Sequence, residues 1–291
     1  MLENVKQQNL LLERKDGVRR HFRYDWQEVA KYNPEYRAYV ETEKERLGEN
    51  HPLFLTQYRL LPLSGGGGFF NIVQKAQLQG DHSRRRHSGG GKVYVAGLDL
   101  AGEAEKDPDE LMNSAGMKRD STVITIGELD FSFSNNLQPL PLIKIVEHYV
   151  WTGCRHSDLY ARMVDILVTV WQCRRVAVDA TGVGQPIASF LKKSLGSKII
   201  PFNFTRASKS KLGFNLLAAV NAGRLKMYLS DDSPEYREFW FQIEKARGLY
   251  HPSQMMNFYV DSSEGHDDYL MSAALLVEAA GRYETRSARG R

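Results

Sequence analysis

Hydrophobic and polar positions along this chain follow two periods. Residues 92–100 (KVYVAGLDL), 120–129 (DSTVITIGEL), 142–151 (LIKIVEHYVW), 176–178 (VAV) and 198–204 (KIIPFNF) are short runs rich in β-branched and aromatic side chains, the pattern of strands. Pro201 inside the last run predicts an edge strand or a bulge. From 155 to 171 the period changes: Leu159, Met163, Ile166, Leu167, Val170 and Trp171 recur at helical spacing. Residues 234–247 carry Tyr236, Phe239, Trp240 and Ile243 on one helical face, which reads as core. A last helix opens at Gly265–Asp268, with Leu270, Ala273, Ala274 and Val277 on its apolar side. A short strand is expected at 225–229 and a hairpin at 250–260. Strands alternating with helices make this an α/β protein, a mixed central sheet flanked by helices. Residues 1–60 form an N-terminal extension in which only Asn33–Leu47 is strongly helical.

The other segments are arranged around Arg174–Leu195. Val176–Val178 is a buried strand and Asp179 stands at its end. Thr181–Gly184 then makes a tight turn, and Pro186 falls in the first turn of a helix, where its missing N–H costs nothing. Open α/β sheets place their sites at such carboxyl ends. Asp99 has the same setting at the end of strand 92–100, and Asp267 and Asp268 follow His266 where the last helix begins. One aspartate is enough for an N-cap; two adjacent ones exceed that need. Carboxylates brought together repel unless a cation lies between them, and hard oxygen ligands select Mg²⁺ or Mn²⁺ over zinc. An acid on the first strand, one on a later strand and one at the last helix is the RNase H-like constellation. Asp120, opening the second strand, is a further ligand if that strand returns beside the first; Asp107 and Asp109 in the intervening loop compete for the role.

Composition narrows the partners. The 291 residues are 42% hydrophobic and 25% charged, with a net charge of +4, which permits a nucleic-acid partner without demanding one. Two cysteines, Cys154 and Cys173, exclude a disulfide framework and a cysteine-rich zinc site. No signal peptide or membrane-length apolar run is present, so a soluble, cytoplasmic protein is expected. From Arg206 to Lys226 there is no acidic residue, and Arg206, Lys209 and Lys211 are candidate DNA contacts, since cations release counterions from phosphates. A solvated helix face is the alternative. The HSRRRHSGGG segment at 82–91 reads as a solvated basic linker, with contact of Arg84, Arg85 and Arg86 to a phosphate backbone as the alternative, and divides an N-terminal region, 1–90, from a catalytic domain, 91–281; a basic tail, 282–291, follows. Gly65–Gly68 and Gly89–Lys92 lack the GK[ST] ending of a P-loop, so neither is expected to serve an ATPase. Glu147, on the third strand, is expected to face solvent.

Together GLDLAG, DSTV, VAVDATGVGQPI, TRASKSKLGFNLLAAVNAGRLKM and GHDDYLMSAALL resemble, in this order, the nuclease domain of phage terminase large subunits. The resemblance covers about residues 92–280, and TQYRLLPLSGGGGFF before it is similar to the linker after the terminase motor. The motor's own Walker motif is absent, so the chain resembles a detached or truncated C-terminal part. The departures are a long insertion before Asp120 and a serine at Ser272. What the resemblance implies is a two-metal endonuclease cutting double-stranded DNA during genome packaging in the host cytoplasm. Its partners would be a terminase small subunit, a portal and a separate or missing ATPase motor. Asp99 would bridge two divalent ions about 4 Å apart. Asp179 and Asp268, or Asp267, would each hold one, with Asp120 in support. A Holliday-junction resolvase or transposase of the same superfold shares these carboxylates, and an inactive DNA-binding packaging module is a further reading.

Overall fold

A computed structural model describes residues 2–49, 51–61, 67–101, 121–132, 140–182, 184–251 and 255–283. Asp107, Asp109, Asp120 and the tail beyond Tyr283 lie outside the described residues.

Six strands form the main sheet: β2 (Val93–Asp99), β3 (Ser121–Asp130), β4 (Leu142–Thr152), β5 (Arg175–Asp179), β6 (Ile199–Phe202) and β7 (Leu225–Lys226). Their order is β6-β5-β2-β3-β4-β7. β2, β3 and β4 make an antiparallel meander, whereas β5 and β6 join parallel to β2 through helical crossovers. The hydrophobic runs thus become central strands buried on both faces, and β6, the strand with Pro201, is an edge.

On one face lie α6 (His156–Asp165) and α7 (Gly184–Leu195). The predicted helix 155–171 ends in a π-helical turn, Ile166–Val170, and Trp171 is fully buried against Tyr94. The other face is covered by α10 (Asp268–Gly281), of which all but the terminal glycine is buried. Behind it stand α8 (Arg206–Asn221) and α9 (Pro234–Lys245), with β8 (Arg247–Tyr250) and β9 (Met256–Tyr259) forming the expected hairpin. Here α8 begins on a Thr205–Ser208 capping box, while Asn33 and Ser233 cap helices that start with Pro34 and Pro234.

The N-terminal region is more helical than its sequence pattern suggests. α1 (Leu2–Asp16), α2 (Trp26–Ala30), α3 (Pro34–Leu47) and α4 (Pro52–Gln57) precede β1 (Gly67–Gly68), which pairs with β8, and α5 (Ile72–Leu78). Trp26, Val40, Leu47, Phe54 and Tyr58 form a small core closed by Ala218 of α8.

Two expectations are corrected. Glu147 is buried, because Arg84 reaches it: Nε donates to Oε1 at 2.6 Å, and Nη1 meets Asp231 at 3.1 Å and Glu235 at 3.2 Å. Removing a buried carboxylate from water is costly unless such donors replace the water. The segment around Arg84 is accordingly not a solvated linker. It is tied to the sheet again by Arg85, 3.0 Å from the buried Glu128.

Candidate active site

The strand register brings the first two aspartates together. Leu98 stands opposite Val178 in the parallel β2–β5 pair, so Asp99 and Asp179 are the next residues on neighbouring strands. Side chains alternate across a sheet. Leu98 and Val178 belong to the core on the α6–α7 side, so both aspartates point to the α10 side. Gly182, at φ +53°, turns the chain after β5, and the Asp179 carboxylate accepts the Thr181 N–H at 2.8 Å.

The third element arrives because α10 touches the backbone of β2. A Cβ on Gly97 would lie 2.0 Å from the Ser272 carbonyl oxygen and 2.3 Å from the Leu276 nitrogen. Only glycine permits that approach, two residues before Asp99. Next to it the hydroxyls of Thr125 and Ser272 meet at 2.6 Å, which gives the buried Ser272 a partner on β3. The start of α10 is thereby placed at the ends of β2 and β5. Asp268, 8% exposed, accepts the Ser121 N–H at 3.0 Å.

Asp267, at the N-cap position of α10, makes no capping hydrogen bond with its side chain. Gln242 of α9, buried, serves the helix start instead: its Oε1 accepts the N–H groups of Tyr269 at 2.8 Å and Leu270 at 3.1 Å. These are among the N–H groups a helix start leaves without intrahelical partners. Sequence reasoning missed Gln242, and a glutamine inside an amphipathic helix offers no signal that it serves another helix.

Electrostatically the group behaves as one cluster. Burial raises the Asp99 carboxyl well above the usual range, and Asp268, Asp179 and Asp267, in that order, push it further; Lys209 opposes them. Burial also raises Asp179, against the Thr181 hydrogen bonds. Asp99, Asp179, Asp267 and Asp268 therefore lie close enough to act on one another; Asp120 lies outside the described residues. Of the three cations, Lys209 faces the cluster and also lies 5.6 Å from the Phe258 ring. Arg206 opens α8, four residues after β6, whose Phe202 pairs with Asp179. Lys211 is two positions past Lys209, about 200° around the helix, and lines a different cavity with Arg46.

The donor set fits a hard divalent cation: every acid is a carboxylate, and charges that raise one another's pKa are what a cation relieves. Among the described residues, no three His, Cys, Asp or Glu side chains already converge as a finished cage.

The six-stranded mixed sheet and the helices on its two faces define the fold class. The chain has the fold of large terminase nuclease domains. It superposes on the large terminase nuclease of the thermophilic phage G20c with bound magnesium at a TM-score of 0.53, with 20% identity over 77% of this chain and 100% of that one. For the Thermus phage P74-26 large terminase nuclease domain the values are 0.50, 20%, 75% and 98%. For a large terminase from another thermophilic bacteriophage they are 0.54, 11%, 92% and 58%, so this chain spans little more than half of that protein. No protein-family model matches the chain, and neither does any curated protein.

Proposed function

We propose that this chain is a divalent-metal-dependent endonuclease that cleaves double-stranded DNA, as the nuclease of a phage terminase large subunit does in genome packaging. The observation that carries this reading is the crowding of Asp179, Asp267 and Asp268 around Asp99 at the carboxyl edge of the sheet. Carboxylates crowded this closely are an electrostatic liability without a cation, and an asset with one. The magnesium carried by the G20c nuclease supports the same reading.

Asp99, between the others, is suited to be shared by two ions, with Asp179 on one side and Asp268 on the other. When bound, Mg²⁺ or Mn²⁺ would supply a more acidic water and charge relief at the leaving oxygen. Asp268 is held for this role by the Ser121 N–H. Asp267 and Asp120 support the ligand set. Lys209 and Arg206 hold the phosphodiester: Lys209 acts on the acid cluster, Arg206 opens the same helix, and the N-terminal N–H groups of α8 favour an anion.

Plasmid nicking and linearisation, followed with Mg²⁺, Mn²⁺ or EDTA, tests the proposal. Cleavage is expected only with metal, and Asp99→Asn or Asp179→Asn should reduce it at least about 1,000-fold while the fold persists. Full activity of both variants with Mn²⁺ would refute the assignment. DNA binding that ignores metal, with no cleavage, would mark an inactive packaging module.

A further inference from the structure

The far end of α10 closes a second cavity of about 470 Å³. Glu278, in its wall, is ten residues from Asp268, so the cavity lies ~15 Å from the acid cluster along the helix. Four cations from different parts of the chain line it: Arg46 of α3, Lys211 of α8, Arg224 beyond the end of α8, and Arg282 beyond α10. Glu278 is the only acid in the lining among the described residues, and it is already engaged by Arg282 Nε at 2.9 Å. Arg46 is engaged by Glu43 at 2.6 Å.

Lys211 and Arg224 have no carboxylate partner among the described residues. Arg224 makes one weak hydrogen bond, Nη1 to the Pro141 carbonyl at 3.4 Å. The rest of its fork meets no protein acceptor among the described residues. Burial alone pulls its pKa down to about 10, the mark of a cation that has lost water and gained no counter-charge. A guanidinium in that position is matched to an oxyanion, which it binds through paired N–H groups.

The cavity walls add a second requirement. Val277 and Ala280 of α10, Ala218 of α8 and Leu140 present apolar surface beside the cations. That combination suits a ligand with a phosphate at one end and an uncharged body at the other. A concave site of this volume accepts a small molecule, whereas the convex backbone of a duplex cannot enter it.

We propose that this cavity binds an organic phosphate of mononucleotide size, with Arg224 and Lys211 holding the phosphate and α10 bearing the body. The site is separate from the acid cluster and does not depend on the nuclease reading. Calorimetry on the full chain in EDTA, with AMP, adenosine and inorganic phosphate as probes, tests it. AMP should bind at least tenfold more tightly than adenosine, and inorganic phosphate should compete with it. Arg224→Gln and Lys211→Gln should each weaken AMP at least tenfold, and Asp99→Asn should leave it unchanged. Removing an uncompensated cation should not lower the melting temperature. If Arg224→Gln fails to fold, the exposed Lys211→Gln carries the same test. The proposal is overturned if AMP does not bind at millimolar concentration, or if its affinity ignores both substitutions. It is equally overturned if Arg224→Gln lowers stability without changing AMP affinity, because Arg224 would then serve only the helix ends.

Discussion

The two ends of α10 carry opposite chemistry on one buried helix. At its start Asp267 and Asp268 join Asp99 and Asp179, and cation is scarce; at its end Arg224, Lys211, Arg46 and Arg282 gather, and acid is scarce. Both arrangements agree in sign with the helix dipole, which favours anions at the N-terminus and cations at the C-terminus. That term, at most about 2 kcal/mol, is too small to hold four carboxylates together, since a neighbouring like charge can shift a pKa by more. Each end therefore calls for a ligand of the opposite charge. The difference lies in how the groups are supported. The acid end is built on strand ends and a backbone-to-backbone contact at Gly97, while the basic end draws its cations from one long helix and from flanking segments.

The largest effect should come from breaking the acid end alone. Asp268→Ala is expected to lower Mn²⁺ affinity roughly 100-fold or more by calorimetry, whereas Asp267→Ala lowers it much less. The reverse pattern would exchange their roles. In EDTA, Asp99→Asn should be as stable as the parent chain near pH 4 and more stable at pH 8. The sign follows from its raised carboxyl: the folded state holds that proton longer than the unfolded state, so stability falls as pH climbs above the ordinary carboxylate range. Identical pH profiles for the two proteins would show that the crowding is relieved by other means.

Gly97→Ala probes the support rather than the acids. Its methyl meets backbone, not a flexible side chain, so the substitution should cost about 3 kcal/mol in denaturant unfolding and lift α10 from β2. A loss below about 1 kcal/mol would mean that the contact is loose. Gln242→Ala leaves the Tyr269 and Leu270 N–H groups without their acceptor, at a cost of about 1–3 kcal/mol. It should fray the acid end, measurable as faster hydrogen exchange at those two amides, while exchange in the last turn of α10 stays unchanged.

The smallest effect concerns the basic end. His51 is fully buried; one ring nitrogen accepts the Leu53 N–H at 3.1 Å and the other lies 3.0 Å from the Phe214 carbonyl of α8. Burial lowers its pKa to about 4. The unfolded chain thus binds this proton first, so stability is complete above about pH 6.5 and is lost as pH falls toward 4. By pH 5 roughly 2 kcal/mol should be lost, with α3 and Arg46 loosening from α8. His51→Gln should flatten that acid limb; an unchanged limb would assign it to other groups.

Much of this was legible in the sequence because strand ends are local events. KVYVAGLDL and VAVDATGVG each show a hydrophobic run that stops at an aspartate, and the sheet needs only register to pair them. The GHDD start of α10 was visible for the same reason. What sequence could not reveal depends on contacts distant along the chain. Glu147 looks solvent-facing until Arg84, 63 residues earlier, covers it. Gln242 acts on a helix 27 residues ahead. Lys209 and Lys211 look equivalent in a basic run, and only the neighbours of α8 send one to the acids and the other to the second cavity. The short N-terminal helices were missed because their polar, aromatic sequence lacks a long apolar stripe; docking on α8 stabilises them.

The central claim is that the acid end is a metal site. Crystals of the chain soaked in Mn²⁺ and measured at a wavelength where manganese scatters anomalously test it most directly. The account predicts anomalous density bounded by Asp99, Asp179 and Asp268, lost in crystals of Asp99→Asn. Density confined to other parts of the molecule, or unchanged in Asp99→Asn, would contradict it.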